Sequence, residues 1–288
     1  MKKLTVLPTE PSYLEWYEAI RDKKHRDTRA SLNELQELIE RRYVDYADAV
    51  ENQNLSALES DDDAIVSSDL LRSCYGGTTK PLRDLKKAIK DAQPKRLLKY
   101  CPMCATTLPR TFDHYLPGVK FPEYAVYAPN LVPCCSICNS IKDDDWLSAA
   151  GTRQYLHAYS DEIPDRRFVV VTLYEDPALA GVGATFSLDR PDDIEDASWQ
   201  LIKSHFSKLK LIERYDDGGN DEVAEIIADC GVFLETGGVD ARDFLNRRAL
   251  ERFKVYGTNN WIAVLMEAMA KHANLSKWIE QGICQNGE

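Results

Sequence analysis

Two cysteine pairs, Cys101/Cys104 in YCPMC and Cys135/Cys138 in CCSICN, bracket a stretch that also holds Asp113-His114 and Asn130, with Asn139 directly after the last cysteine. A two-residue spacer lets both sulfurs of a knuckle reach one ion, and two knuckles complete the tetrahedron of thiolates that Zn²⁺ takes. Pro102 marks a chain reversal inside the first pair and Pro133 precedes the second. Cys134 adjoins Cys135, but only Cys135 stands at ligand spacing from Cys138. The alternative is four reduced, buried thiols that bind nothing. His114 adds an imidazole that titrates near neutral pH and can take a proton from water. Read as structure alone, Asp113 and His114 are a turn acid and a hydrogen-bonded histidine, and Asn130 is a turn residue.

The flanking sequence must position these groups. Residues 11–51 carry Leu32, Leu35, Leu38 and Ile39 at helical spacing, and the acidic stretch ESDDDAIVSSD at 59–69 interrupts that pattern. Residues 80–93 form an amphipathic basic helix with Leu82, Leu85 and Ile89 on one face, ended by Pro94. After the cysteine-rich stretch, SAAGTRQYLHAYSDE reads as helix, with His157 as a surface or packing residue. RRFVVVTLYED and GATFSLDR, separated by PALAGV, read as two strands between about 166 and 190. Helical periodicity then returns to the end, punctuated at Asp217-Gly218-Gly219-Asn220 and Gly237-Gly238. The expectation is an α+β, mostly helical chain in three segments. A helical arm spans 1–79, the basic helix and metal module span 80–150, and a mixed region spans 151–288.

With 288 residues, 44% apolar and 29% charged, the chain has material for a packed core. No run of about 18 apolar residues exists to cross a membrane, and the N-terminus lacks the apolar stretch of a signal peptide. A cytoplasmic location is expected, where CxxC pairs bind metal more readily than they form disulfides. The net charge of −11 argues against indiscriminate nucleic-acid binding, yet residues 80–120 hold ten Lys or Arg against three acids. Lys86, Lys87, Lys90, Lys95, Arg96 and Lys99 are therefore candidate phosphate contacts, or else a solvated helix face.

DHYLP, then NLVPCCSICNSIK, with a CxxC upstream, resembles the HNH or ββα-metal endonucleases over roughly 45 residues. That resemblance implies a strand ending at Asp113-His114, a second strand from about Asn130, and a helix carrying Cys138, Asn139 and Lys142. Asp113 and Asn139 would hold a catalytic Mg²⁺ or Mn²⁺, His114 would activate water, and Asn130 would keep His114 oriented. Lys142 would reach a phosphate, or stay a solvated charge at the helix end. The four cysteines would hold a structural Zn²⁺ that fixes the angle between strand and helix. More narrowly, the chain resembles the nuclease subunits of Septu-type bacterial anti-phage systems, which act beside an ATPase; no G-x-x-x-x-G-K-[ST] loop occurs here. The expected activity is hydrolysis of DNA, with a protein partner controlling access. RNA as substrate, or a zinc-stabilised adaptor without catalysis, are the alternatives.

Overall fold

A computed structural model describes residues 2–176 and 181–285 of the chain. It is α+β and mostly helical, with two small two-stranded sheets. The contacts divide it into two compact units, 3–162 and 163–288, the latter with the first two residues. The sequence suggested a helical arm over 1–79; residues 3–79 group with the cysteine module in one unit.

In the first unit, α1 (Tyr13–Arg21), α2 (Arg26–Glu34) and α3 (Gln36–Glu51) replace the single helical run expected over 11–51. A capping box starts α1: Glu15 N donates to Ser12 Oγ at 3.2 Å, and Ser12 N donates to Glu15 Oε2 at 2.6 Å. The short α4 (Asp62–Val66) and α5 (Ser68–Ser73) occupy the acidic stretch, and Asp61 caps α4 through Ala64 N. Next comes α6 (Lys80–Asp91), with Pro81 in its first turn and Leu82, Leu85 and Ile89 buried as the periodicity required. Strand β1 (Thr111–His114) pairs antiparallel with β2 (Leu131–Cys134), His114 facing Leu131 and Thr111 facing Cys134. Pro133 cannot donate to a ladder, which a two-stranded sheet tolerates. Helix α7 (Ser136–Lys142) follows at once. The helix expected from SAAGTRQYLHAYSDE does not form; apart from one bridge, Leu147 to Arg153, the segment runs irregularly. Arg153 instead binds Asp161 through both terminal nitrogens at 3.0 and 2.9 Å, and Asp161 Oδ2 accepts from His157 N at 2.7 Å. The two ends of the unit meet, Leu4 N donating to Ala158 O at 2.8 Å.

The β1–β2 connection, residues 115–130, is nearly all buried although it holds only two 3₁₀ turns. Helix α3 covers it with Arg42, Tyr43 and Tyr46. Tyr124 and Tyr127 donate to the Arg42 and Tyr43 carbonyls, and Arg42 Nε donates to Glu123 Oε1 at 2.8 Å. Arg42 also reaches Asp45 and the Glu59 carbonyl, so its buried charge is fully engaged.

The second unit pairs β3 (Val169–Asp176) with β4 (Gly181–Leu188), close to the two expected strands; their connection at 177–180 lies outside the described residues. The helices α8 (Asp196–Lys208), α9 (Leu211–Glu235), α10 (Ala241–Tyr256), α11 (Trp261–Lys271) and α12 (Leu275–Gln285) follow. Asp217-Gly218-Gly219-Asn220 does not interrupt the helical run, as the sequence suggested; α9 continues through it. A Cβ on Gly219 would stand 3.1 Å from the Phe186 ring, and one on Gly218 would stand 3.3 Å from Trp261. Gly219 lets α9 approach the sheet closely, and Gly218 lets it approach Trp261 of α11. Asp216 Oδ1 and Asn220 Oδ1 then accept from Phe186 N and Ala184 N along β4.

Arg42→Ala leaves Glu123, whose side chain is 0% exposed, without its cation. A loss of about 3–5 kcal/mol is expected in urea unfolding, and Arg42→Ala/Glu123→Leu should lose less than Arg42→Ala alone.

Candidate metal centre and adjoining basic groove

Cys101, Cys104, Cys135 and Cys138 are all buried, with sulfurs within 4.8 Å of one another. Backbone geometry aims them. Ala105 takes a left-handed conformation, φ 57°, that turns the first knuckle and lets Ala105 N donate to Cys101 O at 2.7 Å. Cys135 caps α7, accepting from Cys138 N at 3.4 Å, while Cys135 N donates to Cys101 Sγ at 3.3 Å. The Cys104 and Cys135 sulfurs stand 3.8 Å apart, and a tetrahedron with Zn–S bonds of about 2.3 Å has edges of about 3.8 Å. Mutual hydrogen bonding within the cluster lowers the Cys104 and Cys135 thiols, with Cys101 the largest influence on each, and raises Cys101, chiefly through Cys104. Four buried sulfurs so arranged could hold a metal ion such as zinc. Cys134 points away from them, its sulfur 3.3 Å from Thr111 Oγ1 and 3.7 Å from Asn139 Oδ1, with burial raising its pKa to about 12. Strand alternation separates the two neighbouring thiols.

On β1, His114 is half-buried and its Nε2 lies 2.8 Å from the Ala125 carbonyl oxygen. A carbonyl only accepts, so Nε2 carries the proton and Nδ1 is the basic nitrogen. Burial pulls the His114 pKa down to about 4; the Ala125 carbonyl opposes it, while Lys142, Lys86 and Arg72 act with it. The neutral imidazole is thus the form present near pH 7. The Tyr75 ring meets His114 edge-on, centroids 4.4 Å apart.

Asn130 is 0% exposed and staples the chain just after His114. Its Oδ1 accepts from Leu116 N at 2.8 Å, and its Nδ2 donates to Leu116 O at 3.1 Å and Tyr124 O at 3.4 Å. Behind it, Ser160 N donates to His157 Nδ1 at 3.1 Å, so His157 Nε2 holds the proton and donates to Tyr46 OH at 2.9 Å. Tyr46 in turn donates to Pro129 O at 3.3 Å. His157 is a packing residue, its ring set against Tyr115 at 4.3 Å.

Asp113 and Lys142 come together inside the unit. Lys142 is 0% exposed, its Nζ donating to His114 O at 2.9 Å and standing 3.1 Å from Asp113 Oδ2. Neither the phosphate contact nor the solvated helix-end charge expected of Lys142 describes this position. Burial raises the Asp113 pKa, and Lys142 opposes it. Asp113 Oδ2 gains no aligned hydrogen bond. Asn139, half-buried, opens onto a groove of about 670 Å³ between α6 and β1, lined also by Tyr75, Arg83, Lys86, Lys90 and Arg110. Lys87 lines it too, whereas Lys95, Arg96 and Lys99 are exposed and do not. Tyr75 had no signal in the sequence; nothing near it suggested a link to His114.

No family model matches the chain, and no solved structure matches it. Over 159 residues it is 26% identical to protein ea31 of Escherichia phage lambda, across 54% of this chain and 53% of that protein. The chain thus spans about half the length of the curated relative it matches. Among the described residues no helix is long and apolar enough to cross a membrane.

Two outcomes follow. The purified protein should carry one tightly held metal by elemental analysis, lost in Cys101→Ser and Cys138→Ser and kept in Cys134→Ser. Burial holds the His157 pKa at about 4 against 6.5 for the free side chain, so the unfolded chain binds the extra proton between those values. His157 stability is then fully present above about pH 6.5 and lost as pH falls to about 4, up to about 3 kcal/mol. Melting temperature across that window should fall more steeply in the wild type than in His157→Gln.

Proposed function

We propose that this protein is a metal-dependent endonuclease of the HNH type that hydrolyses DNA phosphodiester bonds, with a structural Zn²⁺ on the four cysteines. The observation that carries this reading is the His114 imidazole. Its Nε2–H is committed to Ala125 O, which leaves Nδ1 as a base on a strand paired to β2 and followed by α7 with Asn139. The order of strand, buried connection, strand and helix supports the reading, as does the Asn130 staple behind His114.

In this reading His114 Nδ1 takes a proton from water as the water oxygen bonds to phosphorus, and the bond to the leaving oxygen breaks, that oxygen taking a proton from solvent. Asp113 and Asn139 would supply the hard oxygen donors that Mg²⁺ or Mn²⁺ takes, beside the Lys142 ammonium that stands 3.1 Å from Asp113 Oδ2. Bound there, the ion would polarise a phosphate oxygen. Lys142 neutralises Asp113 and, through the His114 carbonyl, ties α7 to β1. The groove cations favour a polyanion. Action beside an ATPase partner in anti-phage defence, in the cytoplasm, belongs to the same proposal and rests on the resemblance alone. RNA is the second substrate candidate, since these groups act on a phosphodiester whatever its sugar.

Supercoiled plasmid incubated with Mg²⁺ or Mn²⁺ should be nicked or linearised, and left intact without added divalent ion. His114→Ala should lose about 10²–10⁴-fold in rate with its zinc content unchanged. Equal cleavage by the two proteins removes His114 as the base. Cleavage of RNA in preference to plasmid reassigns the substrate, and a protein inert on both, alone and with a co-purified partner, leaves the zinc-stabilised adaptor.

A further inference from the structure

The cations of α6 divide into two sets. Lys80 pairs with Asp84 at 2.6 Å, Lys87 pairs with Asp91, and Arg83 is tied to the Thr78 carbonyl. Lys86 and Lys90, one turn apart, have no ion pair among the described residues and lie over aromatic rings instead. Lys86 Nζ is 3.7 Å from the Tyr75 centroid, and Lys90 Nζ is 5.2 Å from that of Phe112. A ring face attracts a cation but brings no compensating charge. Two like charges on one aromatic floor repel, and burial together with Lys90 lowers the Lys86 pKa. An anion between them relieves that repulsion. Arg110 adds a further exposed cation on the same groove.

Asn139 and Tyr75 both line the groove beside these cations. Tyr75 touches both functions at once: its ring carries the Lys86 ammonium and packs edge-on against His114.

We propose that this groove holds the phosphodiester backbone of a DNA strand, with Lys86, Lys90 and Arg110 as its phosphate contacts and Tyr75 as the residue that joins this track to His114. The role of Tyr75 rests on the nuclease reading; the binding track does not need it. Lys95, Arg96 and Lys99, basic and exposed but outside the groove, are spectators. Tyr75 is a positioning residue: it fixes the His114 ring by packing, without reaching the reacting atoms itself.

The test is binding of a fluorescently labelled DNA oligonucleotide, single-stranded and duplex, to zinc-loaded His114→Ala protein, read by anisotropy across a salt series. Lys86→Gln/Lys90→Gln should weaken binding at least tenfold. It should also flatten the salt dependence by about 1.4 for single-stranded DNA or about 1.8 for duplex, two phosphate contacts' worth. Lys95→Gln/Lys99→Gln should change affinity less than twofold. Equal losses in the two double variants, or no loss in the first, overturn the track. In the otherwise wild-type protein Tyr75→Leu should lower kcat, and Tyr75→Phe, which keeps the ring, should restore it; a KM effect alone, or no rescue, overturns the positioning role. DNA binding that follows Lys86 and Lys90 in a protein that never cleaves retires the nuclease reading and leaves the track standing. Cleavage that ignores the Lys86/Lys90 change does the reverse.

Discussion

A connection without regular secondary structure, buried almost throughout, governs the first unit. Backbone donors and acceptors removed from water must find partners inside the protein. Between β1 and β2 much of that requirement falls on side chains. Asn130 satisfies both polar groups of Leu116 and reaches the Tyr124 carbonyl. Tyr46 takes the Pro129 carbonyl. The Ala125 carbonyl is met by His114 itself. The same bond that satisfies the connection therefore sets the imidazole tautomer. Helix α3 roofs the connection with tyrosines and the Arg42–Glu123 pair. The N-terminal helices are in this sense part of the site's foundation.

Charge is handled in two ways within a short distance along the chain. Inside, Asp113 and Lys142 neutralise each other at 3.1 Å, and Arg42 and Glu123 at 2.8 Å, because an isolated buried charge is costly. On the groove, Lys86 and Lys90 are left with ring faces in place of acids. Lys87, on the same groove, is paired with Asp91, so the uncompensated charge there belongs to Lys86 and Lys90.

What could be read from the sequence followed from how local each constraint is. Cysteine spacing marked the four-cysteine cluster, because a two-residue knuckle is nearly self-contained. The period of Leu82, Leu85 and Ile89 marked α6, and the β-branched and aromatic runs marked β3 and β4. The failures lay where distant residues decide. Gly218 and Gly219 look like punctuation in sequence, yet Trp261 and Phe186 make them packing residues inside a helix. The segment after Gly151 has helical spacing, but Arg153, His157 and Asp161 bind one another and fix another path. Lys142 looked exposed from its place in α7; its burial depends on Asp113, which lies on another element. The contact of Tyr75 with His114 crosses from the residues after α5 to β1 and had no sequence signal.

The backbone contact between Leu4 and Ala158 has an architectural meaning. With Leu4 N donating to Ala158 O at 2.8 Å, the chain enters and leaves the first unit at almost the same point. A compact body whose two ends touch can be spliced into a surface loop of a host protein without prying that loop apart. Residues 3–162 have the topology of a portable cassette, one that different flanking sequences could carry without redrawing its interior.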